Sequence, residues 1–447
     1  MLLARAATRT LDLQYYIWHA DLAGTLLFEE VRAAADRGVR VRMLLDDNST
    51  SGLDETLSAL DDHPSIEVRL FNPFVIRSPR LVGYLTDFRR LNRRMHNKSF
   101  TADNRATIIG GRNVGDEYFG AGDGALFADL DVVAIGPVVQ TVSRDFDRYW
   151  TSGSSYPAAK ILSPVRPDGL ARVKAASLRT RNNPVARAYL DAVRLSSLAQ
   201  DLLAKKLAFE WAPTRMASDD PSKGLGLAPP DALLWPKLTA LLGEPQERLG
   251  LVSGYFVPTA AGVDAFTDME RRGIDVSILT NAMEATDVPI VHSGYAKWRK
   301  RLLRSGVRLY EMRGAVHGQG LERNITAVGS TGSSVRGAGS ALHAKTFTVD
   351  GARIFIGSFN FDPRSANLNT ELGFVIESPS LARHVRATIE RLVTTSAYEV
   401  RLNEDDEVYW REHRNGKVLI HNVEPGTSRF ERAVTTVLST LPIEWLL

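Results

Sequence analysis

The sequence predicts an α/β protein of two pseudo-symmetric domains, each a mainly parallel sheet flanked by helices, sharing one active-site cleft. Three observations predict it. A strand–helix–strand order occurs twice, a His-x-Lys-x4-Asp pattern occurs twice, and the chain has 447 residues. That length exceeds the ~250–300 residues that a single hydrophobic core usually supports.

The first copy opens with Leu11-Asp-Leu-Gln-Tyr-Tyr-Ile-Trp18, whose alternating β-branched and aromatic residues read as a strand. Leu26, Leu27, Val31 and Ala34 then fall on one helical face, and Arg37-Gly38 supplies the C-terminal stop. Val39 to Leu45 and Ile66 to Phe71 read as further strands. The second copy repeats the order: a strand from Leu249 to Val257, a helix from Val263 to Met269, a stop at Arg272-Gly273, and strands at Ile274 to Leu279 and Val307 to Tyr310. Strands alternating with helices imply a sheet covered on both faces. The expected domains are 1–155 and 246–400. Between them, 156–245 is a helical and polar connection with a loop at 218–226, and 401–447 is a charged tail.

Composition sets the outer limits. A hydrophobic content of 44% with 24% charged residues is that of a folded globular chain. The net charge of +3 and pI near 9.0 suit an anionic partner such as phospholipid or nucleic acid. Having no cysteine, the chain has no disulfide, no thiolate catalysis and no Cys-ligated zinc. No apolar run reaches the ~18–20 residues that span a bilayer; the longest, Val132 to Val142, is broken by Gly136-Pro137. The opening residues lack the pattern of an export signal. The expectation is a chain with neither a membrane span nor a signal peptide.

The chemistry lies in the duplicated motif. His96-Asn-Lys98-Ser-Phe-Thr-Ala-Asp103 is followed by Gly110-Gly111-Arg-Asn113, and His343-Ala-Lys345-Thr-Phe-Thr-Val-Asp350 by Gly357-Ser358-Phe-Asn360. The Gly-led pair follows at the same distance in both (103 to 110, 350 to 357). A single His-x-Lys is commonplace; two with matched flanks are not. On a strand, His and Lys two apart share a face, which brings an imidazole and an ammonium into one pocket. Phosphodiester chemistry needs positive donors on the non-bridging oxygens, a nucleophile, and an acid for the leaving alkoxide. Two His, two Lys and two Asn supply all three. Asp103-Asn104 and Asp350-Gly351 are turn dipeptides, which points to a structural role for both Asp residues. An attacking imidazole also needs an acceptor on its other nitrogen. Aligning Thr370-Glu371-Leu-Gly-Phe-Val with Ala128-Asp129-Leu-Asp-Val-Val nominates Glu371 for His343 and Asp129 for His96.

These residues resemble the phospholipase D superfamily, whose hallmark is this motif twice in one chain. The segments Leu11 to Trp18, Asp36 to Arg42, Leu44 to Asn48, Gly110 to Phe119 and Gly357 to Glu371 are similar to the bacterial cardiolipin synthase branch, most closely its type C members. The resemblance implies a phosphatidyltransferase that makes cardiolipin by transfer of a phosphatidyl group to phosphatidylglycerol through a phosphohistidine. Phosphatidylethanolamine or a second phosphatidylglycerol would be the donor. It places His96, Lys98, Asp103, His343, Lys345 and Asp350 in the catalytic motifs, with His96 as nucleophile and His343 as acid and later base. Pseudo-symmetry leaves the reverse assignment open. Asn113, Asn360 and Ser358 would support the phosphoryl oxygens together with the lysines. No cofactor is implied. The location implied is the bacterial cytoplasmic membrane, attached peripherally, with or without an accessory protein.

Two other classes compete with this reading. A hydrolase acting on phospholipid or nucleic acid would use the same residues, but no aromatic-basic platform for stacking bases is visible, so nucleic acid is not the expected partner. A silent lipid-binding scaffold conflicts with two complete motifs. Leu81, Tyr84, Leu85, Phe88, Leu91 and Met95 mark an apolar helical face, with Arg89, Arg90, Arg93 and Arg94 on the remainder. It reads equally as a membrane-surface helix or as a helix packed on the domain with a solvated basic face. His19, His63, His292, His317, His384, His413 and His421 have no metal-ligand spacing, so no metal is expected.

Overall fold

The computed structural model describes residues 1–121, 126–286, 288–314, 340–414, 416–442 and 444–447. The first half contributes β1 (Thr10–Ile17), β2 (Arg40–Ser49), β3 (Ile66–Phe71), β4 (Ser99–Ala102) and β5 (Ala106–Gly110). After these come β6 (Leu126–Ala128), β7 (Asp131–Ile135) and β8 (Ser155–Pro157). The connecting segment carries β9 (Thr214–Ser218). The second half contributes β10 (Arg248–Ser253), β11 (Asp275–Asn281), β12 (Arg308–Met312) and β13 (Ser340–Leu342). It continues with β14 (Lys345–Val349), β15 (Arg353–Gly357) and β16 (Leu372–Glu377). Then follow β17 (Ala397–Leu402), β18 (Val408–Arg414) and β19 (Lys417–His421).

Local sequence explains these elements. The helix Leu22–Asp36 is capped by the Asp21 carboxylate, which accepts from Gly24 N at 2.9 Å. It buries Leu27, Val31 and Ala34 in the core with the sheet, buries Leu26 as well, and stops where Gly38 takes φ +88°. Its counterpart, Thr259–Arg271, buries Val263 and Phe266 and stops at Gly273, φ +84°. β1 is covered on both faces: Leu11 and Leu13 enter the apolar core, while Asp12 opposite them is buried on the Arg42 guanidinium.

The two large sheets repeat one inner order. The first runs β7-β5-β4-β1-β2-β3-β8, and the second β19-β18-β17-β12-β11-β10-β14-β15-β16-β9. The sequence of pairings β5-β4-β1-β2-β3 in one is β15-β14-β10-β11-β12 in the other. The expectation of mainly parallel sheets needs correction. Only β1–β2–β3 and β10–β11–β12 are parallel; the remaining pairings within both sheets are antiparallel. The reason is the connections. Parallel neighbours need a crossover helix, and the motif strands instead turn straight back through tight turns that can only give antiparallel hairpins.

Between the sheets lies a third apolar cluster, where Ile109 and Val142 of the first half meet Ile354, Ile356, Leu372 and Phe374 of the second. The halves also exchange backbone. β6 pairs in parallel with β13, and Met95 bridges Thr370. The connecting segment closes the edge of the second sheet, because β9 pairs with β16, and residues after 396 extend its other edge through β17–β19. No described helix is long and apolar enough to cross a membrane.

The Arg89–Arg94 run does not form one solvated basic face. Arg94 is buried, 3.4 Å from Asp46, and Arg93 donates to the carbonyls of Lys223 and Asn367. Arg90 pairs with Asp87 at 2.6 Å; Arg89 remains exposed.

Asp103 and Asp350 hold the far ends of the motif strands. Asp103 sits at φ +53° and its carboxylate accepts from the backbone amides of Thr8, Arg9 and Thr10. Asp350, also at φ +53°, accepts from Gln246, Glu247 and Arg248. Each latches its hairpin to the start of β1 or β10. Burial pushes both carboxyls up, but three amide donors outweigh it and hold them below the usual carboxylate range. A depressed folded pKa gives stability that is present above the unfolded value, near pH 4, and lost as pH falls through the folded value. Asp103→Asn and Asp350→Asn should each lower unfolding stability at pH 7 by about 1–2 kcal/mol. In denaturant titrations the deficit should shrink steadily below pH 4; a deficit independent of pH would contradict the latch.

Candidate active site

Both His-x-Lys segments stand at strand entries rather than inside strands. His96 to Lys98 precedes β4, and His343-Ala344 precedes β14, which starts at Lys345. The cause is the exchange between halves. His96 N donates to Thr370 O at 2.9 Å, and His343 N donates to Ala128 O at 2.8 Å. Each motif therefore leaves its own sheet to pair with the opposite half before entering its strand. Each lysine curls back onto its own histidine: Lys98 Nζ donates to His96 O at 2.6 Å, and Lys345 Nζ donates to His343 O. All four side chains are buried, His96 at 7% and His343 at 8% exposure.

The carboxylate partners are crossed relative to the sequence alignment. His96 Nδ1 lies 2.9 and 3.0 Å from the two oxygens of Glu371, and His343 Nδ1 lies 2.5 Å from Asp129 Oδ2. The two carboxylates are the nominated ones, but the pairing of Glu371 with His343 and Asp129 with His96 is corrected. Glu371 follows Thr370, whose backbone pairs with the His96 segment, and Asp129 follows Ala128, whose carbonyl binds His343. Backbone exchange brings each acid to the other half's imidazole.

The two halves differ in chemistry behind these pairs. Ser358 Oγ donates to Glu371 Oε2 at 2.5 Å. At the matching position stands Gly111, where a Cβ would lie 2.1 Å from Asp129 Oδ1. The shorter Asp sits in the space a Ser side chain would need. Glu371 has further support from the connecting segment. Its backbone N donates to Asp219 Oδ2 at 2.9 Å, and Lys223 Nζ reaches Asp219 Oδ2 at 2.9 Å and Ser365 O at 2.8 Å. Asp219 and Lys223 lay in the stretch that reads as a plain loop, and their i, i+4 spacing was the one signal available.

Electrostatics tie the histidines into one site. Burial first, then the charges of Lys98 and Lys345, push His96 well below its usual value. Burial and Lys345, with Lys98 adding to them and Asp129 opposing, bring His343 down to about 4. Each lysine acts on both imidazoles, so the four groups share one cleft. Burial raises Glu371 to about 7 against the pull of Lys98 and Ser358. Asp129 behaves differently: burial pushes it up, but His343, Lys345 and Arg112 hold it below the usual range. Burial also pulls Lys98 well down, opposed by Glu371. The two buried lysines and the Arg364 charge are groups that a phosphodiester would complement.

The remaining expected residues divide. Asn113 is committed within the protein: its Oδ1 accepts from Ile17 N at 3.1 Å and its Nδ2 donates to Tyr118 Oη at 2.9 Å. Asn360 is buried with its Oδ1 unpaired. Asp103 and Asp350, counted with the catalytic motifs, lie at the far ends of β4 and β14 and do not reach the histidines through their latches. Aromatic rings that the motif reading missed wall the site: Tyr16 stands edge-on to His96 at 5.1 Å, and Tyr118 and Phe127 lie 5.3 and 5.2 Å from His343. Arg364 was also missed; its charge is among those acting on His96.

As to metals, among the described residues His19, Asp21 and Glu117 present ligand atoms within 4.8 Å of one another. Asp21 already accepts from Gly24 N and Asp116 N, and His19 is an exposed ion-pair partner of Glu117 at 3.3 Å. His317 lies outside the described residues.

The family described as cardiolipin synthase, PLD-like domain, matches residues 2–150 and 238–393. Cardiolipin synthase C of Escherichia coli is 48% identical over 451 residues, spanning 100% of this chain and 92% of that protein. An uncharacterized protein of Helicobacter pylori is 31% identical, spanning 98% of this chain and 85% of its own length. Among solved structures, phosphatidylserine synthase of Haemophilus influenzae shares the fold with a TM-score of 0.59 at 15% identity, covering 100% of this chain and 92% of that one.

Gly111→Ser should push Asp129 off His343 while leaving the His96–Glu371 pair in place. A displacement of about 1 Å in a positioning group can cost about a hundredfold in turnover. A loss of that order in steady-state phosphodiester turnover, with a thermal midpoint near wild type, is the expected result. Wild-type turnover would contradict it.

Proposed function

The chain belongs to the cardiolipin synthase family of PLD-like domains, and on that premise we propose that it is a phosphatidyltransferase that makes cardiolipin. The observation that carries the reading is the pair of buried histidines, each held through Nδ1 by a carboxylate of the opposite half. With Nδ1 taken, Nε2 is the nitrogen that each imidazole can turn to phosphorus or to a leaving oxygen.

The roles follow from the unequal carboxylates. Burial and two lysines disfavour a third cation, which holds both imidazoles in the neutral form. A bound phosphodiester adds a negative charge and raises both. The proton then goes to His343, whose partner Asp129 is kept ionised by Lys345 and Arg112 as well. His96, beside a carboxyl raised to about 7, stays neutral and nucleophilic.

The proposed steps balance as follows. His96 Nε2 attacks the phosphorus of the donor lipid, the bond to the headgroup alcohol breaks, and His343 gives its proton to the departing oxygen. The phosphatidyl group is then on His96. A glycerol hydroxyl of phosphatidylglycerol attacks the same phosphorus, His343 takes the hydroxyl proton, and the P–N bond breaks to release cardiolipin. Lys98, Lys345 and the amide of Asn360 would meet the non-bridging oxygens. Phosphatidylethanolamine or phosphatidylglycerol would be the donor, and the work would be done peripherally at the bacterial cytoplasmic membrane. Water competes at ~55 M, and effective molarities of ~10⁵ M or more show that a positioned lipid alcohol can win.

On mixed phosphatidylglycerol and phosphatidylethanolamine liposomes, mass spectrometry should find cardiolipin with ethanolamine or glycerol released, and little phosphatidic acid. His96→Ala and His343→Ala should each lower turnover by about a thousandfold or more, since neither group has a substitute. EDTA should leave the rate unchanged. Dominant phosphatidic acid would make the enzyme a hydrolase; cleavage of oligonucleotides alone would reject the lipid reading.

A further inference from the structure

The helix Arg80–Leu91 turns an apolar face to solvent. Leu81 is 72% exposed, Leu85 82% and Phe88 46%, and Val75 in the preceding loop is 85% exposed. Residues 81 and 85 lie on one helical face, and Phe88 stays exposed just after it. The expected continuation of that face does not occur: Leu91 and Met95 are buried. The helix breaks at Asp87, where φ −143° and ψ +42° re-aim the last turn inward. The exposed face is not a loosely held element. Tyr84 Oη donates to Asn48 Oδ1 at 2.7 Å, and Arg80 Nη1 donates to Asp47 O at 2.6 Å. Asn48 also acts on Tyr16, whose ring stands against His96. The apolar face is thus anchored, through three side chains, to the wall of the cleft.

A second apolar surface lies at the other end of the chain. The helix Arg429–Ser439 exposes Phe430 at 77% and Val437 at 62%, and the turn after it exposes Trp445 at 58%. Arg364 joins the two surfaces. Its guanidinium donates to Asn92 Oδ1 and Asn92 O at the end of the first helix, and to Leu446 O beside Trp445. Its backbone N donates to Leu447 O at 2.7 Å. The same Arg364 charge acts on His96. The end of the first helix and the turn that carries Trp445 therefore meet at one arginine.

We propose that these two surfaces form a bilayer-docking face that seats the cleft mouth at the lipid headgroups. The proposal rests on the reading of the site as one that takes phospholipid. Exposed Leu, Val, Phe and Trp on two elements tied to one arginine are the composition of an interfacial insertion surface. Exposed Arg89 and Arg429 stand beside it with the charge that suits anionic headgroups. Histidines at 7% and 8% exposure cannot reach a headgroup held in the bilayer plane. The lipid must rise into the cleft, and a protein surface already in the interface shortens that path.

The test separates docking from chemistry. Co-sedimentation with vesicles of phosphatidylglycerol and phosphatidylethanolamine measures binding of the full chain. Leu81→Ser/Leu85→Ser and Phe430→Ser/Trp445→Ser should each partition at least about tenfold more weakly. Turnover of short-chain phosphatidylglycerol, dissolved as monomers, should stay within about twofold of wild type. The absence of native cysteine gives a readout that needs no loss of fold: Leu85→Cys carrying an environment-sensitive dye should shift to the blue when vesicles are added. Wild-type partition in both double variants, or no dye shift, overturns the proposal. So does a wild-type dimer that the variants split without losing vesicle binding, which would make this face a contact between copies. If vesicle binding falls as expected but wild type turns over no phospholipid, docking stands and the reading of the site fails.

Discussion

His96 meets Glu371 at 2.9 Å and His343 meets Asp129 at 2.5 Å, so each imidazole is oriented by a carboxylate carried on the opposite half. Neither half is complete alone. The exchange begins in the backbone, where the Met95–Thr370 bridge and the β6–β13 pair cross between halves just beside the acids. The apolar cluster around Ile356 and Phe374 presses the sheets together behind it. Separating the halves would expose that cluster and strip both histidines of their acceptors at once. Packing and site chemistry thus depend on the same contact.

Burial sets the electrical character of the cleft. Two lysines at 1% exposure beside two imidazoles disfavour a further cation and hold the histidines toward the neutral form. The distinction between the two comes from what stands behind each acid. Glu371 has the Ser358 hydroxyl and the Asp219–Lys223 pair, while Asp129 has Arg112 and a glycine whose missing side chain gives it space. A duplicated scaffold can in this way carry two histidines with unlike carboxylate partners.

The segments outside the repeat are structural parts of the site. β9 and the Asp219–Lys223 turn come from the connection between the halves and brace the strand that carries Glu371. The chain's last residues return to Arg364, which also holds the end of the Arg80–Leu91 helix. Regions with no motif of their own thereby decide how firmly one carboxylate stands and what surface surrounds the cleft.

Much was legible in one dimension. The helix stops at Gly38 and Gly273, the strands of both βαβ units and the turns at Asp103 and Asp350 follow from local pattern, because each depends on a few neighbouring residues. The duplicated His and Lys, and the two carboxylates, were legible because a repeat compares the sequence with itself. Three things were decided only in the folded chain: which acid serves which histidine, the antiparallel flanks of both sheets, and the burial of Arg94 while Leu85 stays exposed. The physical reason is separation. Glu371 lies 275 residues from His96, and Asp129 lies 214 from His343. An alignment of the two copies pairs like with like, whereas pseudo-symmetric halves packed face to face exchange their edges. That exchange is a property of the interface, and no stretch of sequence contains it.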